Sequence, residues 1–297
     1  MQKSTPLNWN DVRFVVALAE QRSLSGTARL LGVDHTTVGR RVDAAEAALD
    51  VRLFTRSATG YALTLDGARL LPDMQAVAAA VQTLRRRARA GETAIEGTVR
   101  VTAPETFGMT WLARALSGFA AAHPLVTVQL DPTGALADLG LGEAELAIRN
   151  VRSTDPRLVV VPVAEIPYGA YASVRYLAEH PVRAGADLVD CRVLCTPAES
   201  VESAWLARLV PSVRPAFVSE LSLALLAAAK AHAGVALLPR FLGDAEPTLQ
   251  YIPLPGEPSE PLWLTVHEDA RSIPRVRALM SFLRKAFREA QWASGPA

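Results

Sequence analysis

The stretch "SLSGTARLLGVDHTTVGRRVDAAE", from Ser23 to Glu46, constrains the chain more than any other. Ser25 reads as the N-cap of a short helix that runs through Leu31, and Gly32 as its stop. Asp34 then caps a second helix, with Val38, Val42, Ala45 and Leu49 on one face. Two short helices joined by Gly-Val-Asp form a helix-turn-helix. A helix over Asp11–Glu20 precedes them, capped at Asn10, with Phe14, Val15, Leu18 and Ala19 on one stripe. At about 100° per residue, Thr36, Arg40 and Ala44 fall opposite the Val38 stripe, and Thr37 and Arg41 lie on its flank. A guanidinium there can bond a guanine edge bidentately, a threonine can meet a thymine methyl or a phosphate, and such a helix fits the DNA major groove. The alternative is an ordinary surface helix in an α-helical cap.

The charge distribution favours the first reading. Residues 1–91 hold 13 Lys+Arg against 8 Asp+Glu, whereas the remainder holds 18 against 22. The basic front end fits a polyanion, and the acidic back end does not. After the helix-turn-helix, Leu53-Phe54, the turn residues Ser57–Gly60 and Tyr61–Leu65 read as a two-stranded wing. A long helix is expected from Thr64, with Leu70, Met74, Val77, Val81, Leu84 and Ala88 in a heptad seam that pairs with a second copy. Pro72 predicts a kink or restart near Asp73. Arg85, Arg86, Arg87 and Arg89 form either a solvated face at the helix C-terminus or phosphate contacts.

"RAGETAIEG" reads as a linker. Beyond it, strands alternate with helices. Strands are expected at Thr98–Ala103, Val126–Leu130, Glu145–Ile148, Leu158–Val163, Tyr168–Ser173, Cys191–Cys195, Ala216–Ser219, Val235–Leu238 and Leu262–His267. Helices are expected at Phe107–Ala122, Ala135–Leu141, Val201–Leu209, Leu221–Ala233 and Ile273–Trp292. The alternation predicts an α/β domain with a mostly parallel sheet, long enough for two subdomains. Cys191 and Cys195, four apart on one strand, are too distant for a disulfide and read as free buried thiols, with a redox switch as the lesser reading. No charged n-region with an unbroken apolar run opens the chain, and the most apolar stretch, Leu221–Ala229, is too short to span a bilayer. The expectation is a cytoplasmic protein with no membrane partner.

The text "ARLLGVDHTTVGRRVDAAEAALDVRLFTRSATGYALTLDGARLL" resembles the LysR-type transcriptional regulators in its helix-turn-helix, its "LF-R" step into the wing, its wing glycine and its "LT--G" entry to a linker helix. "GTVRVTAPETFG", "GLGEAELAIR" and "AGVALLP" continue the resemblance along nearly the whole chain. It implies an α+β multidomain protein: a winged helix-turn-helix over residues 1–63, a dimerising linker helix over 64–91, and an effector-binding α/β domain over 92–297. The last is built of two periplasmic-binding-protein-like subdomains, one of about 97–163 with 267–297, the other of about 164–266. The resemblance places Thr36, Thr37, Arg40 and Arg41 on the recognition helix and Arg56 at the wing; with Ser25 and His35 they make up the expected DNA-binding set. It places Thr102, Glu105, Thr106, Thr133 and Thr196 in segments lining the effector cleft. Two departures stand out: Gly39 replaces a serine usual in the family, and His232-Ala233-Gly234 replaces a glycine-rich turn.

Nothing points to catalysis. His35, His123, His180, His232 and His267 show no metal-ligand spacing, and no P-loop or nucleophile elbow is present. No catalytic residue, metal or cofactor is therefore expected. The expected partners are double-stranded DNA with a pseudo-palindromic operator, a small-molecule effector, a second copy in a homodimer that builds a tetramer, and RNA polymerase. Scarce aromatic residues after Gly97 and the strand-to-helix step at "TAPETFG" favour a small polar or carboxylate effector, with Arg149 as its charge partner or as a surface ion pair. Two other readings stay open: a small-molecule binding protein or enzyme with a helical cap and no DNA role, and a DNA-binding protein whose C-terminal domain only assembles oligomers.

Overall fold

Three polar side chains fix where the first helices begin. Asn8, Ser23 and Asp34 sit in extended backbone, and each accepts a backbone N–H at 2.9 Å, from Asn10, Gly26 and Thr37 respectively. They cap α1 (Trp9–Gln21), α2 (Leu24–Leu31) and α3 (His35–Leu49). Asn8 and Ser23 thus take the roles expected of Asn10 and Ser25; both expected caps already lie inside the helix, where their backbone is helical. Gly32 ends α2 with φ 67°. The computed structural model describes residues 6–57, 60–90, 94–135 and 137–290. They divide into two compact units, Met1–Arg89 with Gly140–Gly142, and Ala90–Leu139 with Glu143–Ala297.

In the first unit, α1, α2 and α3 enclose a core of Val15, Leu18, Val38, Val42 and Ala45. Strands β1 (Phe54–Ser57) and β2 (Gly60–Leu63) pair antiparallel as the wing. Ala58 and Thr59 of the expected turn lie outside the described residues. The buried Glu46 carboxylate ties the wing to α3: it accepts Leu53 N–H at 2.7 Å, Phe54 N–H at 3.1 Å and the Arg52 guanidinium at 2.6 Å. Thr64 donates to the Arg52 carbonyl at 2.6 Å and accepts Gly67 N–H at 2.9 Å, which caps α4 (Leu65–Ala90). This accounts for the "LT--G" pattern, because a Cβ on Gly67 would stand 2.2 Å from the Leu53 carbonyl oxygen. Helix α4 runs through Pro72 as one element, without the expected restart. Met74 is buried and Leu70 packs beside it, whereas Val77 and Leu84 remain 44% and 70% exposed.

The second unit is a nine-stranded mixed sheet in two halves. In the first half, β3 (Gly97–Ala103) lies parallel to β4 (Val126–Pro132) and β5 (Leu146–Arg149). Between β3 and β4 the chain forms α5 (Glu105–Phe107), a π-helical turn at Gly108–Leu112 and α6 (Ala113–Ala122). Then β6 (Leu158–Ser173) carries the chain across to the second half. There α7 (Val174–Glu179), β7 (Val193–Cys195), α8 (Val201–Leu209), β8 (Pro215–Val218), α9 (Ser222–Lys230), β9 (Val235–Pro239), α10 (Arg240–Gly243) and β10 (Leu249–Ile252) follow. Strand β7 lies parallel to β8 and β9. Finally β11 (Ser259–His267) runs back, and α11 (Pro274–Glu289) packs on the first half.

The two crossing strands pair antiparallel, so β3, β4 and β5 run parallel in one half and β7, β8 and β9 in the other, while the pairings made by β6 and β11, that of β10 with β6 included, are antiparallel. The sequence pointed to two strands, Leu158–Val163 and Tyr168–Ser173, where β6 is one. Both prolines of that strand occupy places that need no ladder N–H: Pro162 sits at a bulge opposite Leu262/Trp263, and Pro167 where β6 leaves β11 for β9. The subdomain boundary expected near residue 163 therefore falls inside a strand. The described residues of 135–141 form bends and turns instead of the expected helix, and Leu136 lies outside them. Cys191 is half-buried before β7 and Cys195 is buried within it, both as free thiols; burial pushes both thiols up. Gly91–Thr93 of the expected linker and Trp292 of the expected last helix also lie outside the described residues. No helix among the described residues is long and apolar enough to cross a membrane.

Gly67→Ala should lower the stability of the first unit by about 1–3 kcal/mol, since a backbone carbonyl must move. Gly39→Ala, where a Cβ meets nothing within 4 Å, should raise it by up to about 1 kcal/mol. Urea unfolding followed by helix circular dichroism checks the pair.

Candidate functional sites: a helix face and a cleft

Two kinds of side chain meet on α3. His35, Thr36 and Arg40 are exposed, as are Ser25 on α2 and Arg56 on the wing. The Thr36 hydroxyl bonds the Asp34 carboxylate, and the Thr37 hydroxyl donates to it at 3.1 Å. Those bonds, led by Thr36, hold the Asp34 carboxyl down at about 2. Arg41 is committed within the unit: its Nη1 lies 3.1 Å from Oδ1 of Asp11, a buried residue of α1. Its Nε is buried with no hydrogen-bond partner among the described residues. Arg41, expected on the DNA-reading face, thus braces α3 against α1, whereas Arg40 one residue earlier points to solvent. A wheel gives the angle of a side chain but not the partner that captures it.

The second site lies in the second unit. Its two half-sheets present the carboxyl ends of their parallel strands to one cleft, where ligands gather in open α/β sheets. The cleft holds a cavity of about 430 Å³. From the first half come Pro104–Phe107 after β3 and Asn150 after β5. From the second half come Thr196 and Pro197 after β7, Glu220 and Leu221 after β8, and Phe241 after β9. Ile166, Tyr168, Glu260 and Leu262 of the crossing strands form its floor.

Glu105, Thr106 and Thr196 line this cavity as expected residues would. The Thr196 hydroxyl bonds Ser200 Oγ and Glu202 Oε1, each at 2.6 Å. Thr102, Thr133 and Arg149 do not line it. Arg149 is buried behind the wall, where its guanidinium donates to the Ile148 carbonyl at 3.0 Å and to Thr102 Oγ1 and the Ala135 carbonyl at 2.8 Å. Burial pushes that guanidinium down, and Asp131 pulls it partly back. Thr133 accepts Ala135 N–H at 3.1 Å. The proposed charge partner of a carboxylate is therefore spent on holding the loop after β4. His232 stands outside the lining; it takes the left-handed φ of 62° that a glycine-rich turn would supply, and its Nδ1 lies 2.8 Å from Ser173 Oγ.

Sequence reasoning missed Glu202, Glu220, Glu260 and Tyr168. Glu202 is buried on α8, and burial pushes its carboxyl up despite the bond from Thr196. The Tyr168 hydroxyl donates to Glu260 at 3.0 Å, and burial pushes that phenol up as well. In the sequence, "SVE" at Ser200–Glu202 reads as an ordinary helix start. What could have drawn attention to it is its place just after a parallel strand.

A family model described as the LysR substrate binding domain matches residues 92–288, and one described as a bacterial regulatory helix-turn-helix protein of the lysR family matches residues 9–68. An HTH-type transcriptional regulator of Xanthomonas campestris pv. campestris is 30% identical over 171 residues, 58% of this chain; the chain spans about half, 50%, of that relative's length. The regulator PtxR of Pseudomonas aeruginosa is 26% identical over 296 residues, covering 96% of this chain and 95% of PtxR. The full-length structure of AphB, a virulence activator of Vibrio cholerae, superposes with a TM-score of 0.64 at 19% identity, covering 93% of this chain and 98% of that one.

Arg41→Ala would leave Asp11 buried and unpaired and should destabilise the first unit by about 1–3 kcal/mol. Arg40→Ala should leave stability within about 0.5 kcal/mol. Thermal unfolding of the two variants beside the parent checks the contrast.

Proposed function

The chain belongs to the LysR family of DNA-binding transcriptional regulators, and from that premise we propose that it binds a pseudo-palindromic operator as a homo-oligomer in the cytoplasm and answers to a small molecule held in its cleft. The observation that carries this reading is the division of labour on α3. Arg41 is paired with Asp11 within the fold, while Arg40 and His35 are exposed and make no ion pair among the described residues. A basic, unengaged stripe on the second helix of a helix-turn-helix is what a major groove accepts.

Arg40 reads a base edge, Arg56 of the wing meets the backbone, and Ser25 lies at the rim with His35 and Thr36. Thr37, half-buried and bonded to Asp34, serves α3 more than DNA. The exposed seam of α4, with Val77 and Leu84, favours a second copy, because isolated apolar residues at heptad spacing gain by pairing. On this reading residues 1–63 form the DNA-binding domain, 64–91 the dimer helix and 92–297 the effector domain. Tetramer formation and contact with RNA polymerase are proposed on the family likeness alone. The relatives are named as regulators, and no metal-binding group of three or more His, Cys, Asp or Glu occurs among the described residues.

Binding of Arg40→Ala to operator and scrambled DNA tests the reading. The variant should lose roughly 1–3 kcal/mol on the operator and little on scrambled sequence; an equal loss on both would make Arg40 a phosphate contact. Leu84→Asp places a charge on a residue already exposed in the single chain, so it should weaken association without unfolding the chain. Sedimentation should show more monomer, and operator affinity should fall with it.

A further inference from the structure

We infer that the cleft selects a cationic small molecule, an organic amine or guanidinium compound, held by Glu202 and Glu260. The inference rests on the reading of the cleft as the effector site and deepens it. Four carboxylates line the cavity, Glu105, Glu202, Glu220 and Glu260, and no Lys, Arg or His stands among the lining residues described. None of the four has an ion-pair partner among the described residues, in contrast to Glu46, Glu145 and Glu246 elsewhere.

Glu202 is the anomaly. It is 97% buried, yet the donors that meet its carboxylate among the described residues are all neutral, the hydroxyls of Thr196 and Ser200 and its own backbone N–H, and Glu260 adds like charge nearby. A buried carboxylate without a cation is costly. Its placement in the first turn of α8 offsets part of that cost through the helix dipole, but a dipole end is worth only about half a charge. A ligand cation would supply the rest and favour the charged carboxylate. Tyr168 donates to Glu260 at 3.0 Å and so fixes that carboxylate with its remaining lone pairs free for a donor.

Phe107 and Phe241 meet edge to face at 5.5 Å, and with Tyr168 they contribute aromatic atoms to the lining. The cavity of about 430 Å³ is of small-molecule size, within the usual range of about 300–1,000 Å³. A metal ion fits less well, since no three possible ligands converge there among the described residues. Arg149 is not among the lining residues and donates to Thr102 and two carbonyls behind the wall. A carboxylate effector, the expectation from sequence, would enter a cavity of its own sign.

The test is calorimetric titration of the full chain with 1,4-diaminobutane, agmatine and tetramethylammonium, beside succinate and benzoate, each up to millimolar concentration. At least one amine should bind, and the carboxylates should not. Glu202→Gln and Glu260→Gln keep shape and remove charge, and each should weaken the amine roughly tenfold or more, as loss of a charge-assisted bond does. Thermal unfolding without ligand verifies that both variants fold; Glu260, half-buried at the floor, serves if Glu202→Gln does not. Binding of a carboxylate in place of amines, no amine binding at all, or amine binding unchanged in both variants overturns the inference. Operator binding measured with and without the bound compound separates the two readings. A carboxylate that alters operator binding would leave the effector site standing and remove the charge preference. An amine that binds through Glu202 and Glu260 but leaves operator binding unaltered would uphold the charge preference and remove the regulatory role.

Discussion

The antiparallel pairing of β6 with β11 is the contact on which the second unit depends. Each strand spans both half-sheets or reaches their join, so one ladder both connects the halves and forms the floor between them. Because the chain crosses there, each half can run its own parallel strands with their carboxyl ends turned inward. Loops that follow those ends need not satisfy a ladder and are free to carry polar side chains. The cleft is thus a consequence of topology, and its chemistry is a separate choice made by the loop residues.

In the first unit, buried or capping carboxylates do the equivalent work. Glu46 gathers two backbone N–H groups and Arg52, so a wing of two four-residue strands is held to α3 although it is too short to be stable by itself. Asp11 holds Arg41, and Asp34 organises the first turn of α3 through Thr36 and Thr37. Each carboxylate consumes a donor that a DNA-binding surface could have used. The reading face that we propose is what remains once the fold has taken its share, and that remainder is centred on Arg40.

The charges of the two units follow the same logic in opposite directions. The basic front end leaves guanidinium groups unengaged where a polyanion would lie. The acidic back end leaves carboxylates inside a cavity without an ion-pair partner among the described residues. The general field of each unit reinforces its local site, since a cleft of one sign with low-dielectric walls concentrates the opposite charge.

Much of this was legible in the sequence, because it depends on local spacing. Val38, Val42 and Ala45 recur at helical intervals, Gly32 and Asp34 punctuate the chain, and "LT--G" encodes the Thr64 cap of α4. Strand positions in the second unit were readable for the same reason, as short apolar runs between turns. The tertiary structure decided what spacing cannot encode. The gap left between the strands expected at Leu158–Val163 and Tyr168–Ser173 closes because β6 changes partner there from β11 to β9. Arg41 looks like a DNA contact until Asp11, thirty positions away, captures it. Arg149 looks like a ligand's counterion until Thr102 and Ala135 surround it, and Glu202 looks like a helix start until β6 and β11 bring Glu260 and Tyr168 beside it. In each case the deciding partner is distant in sequence, and the energy of a polar group is set by what stands next to it in space.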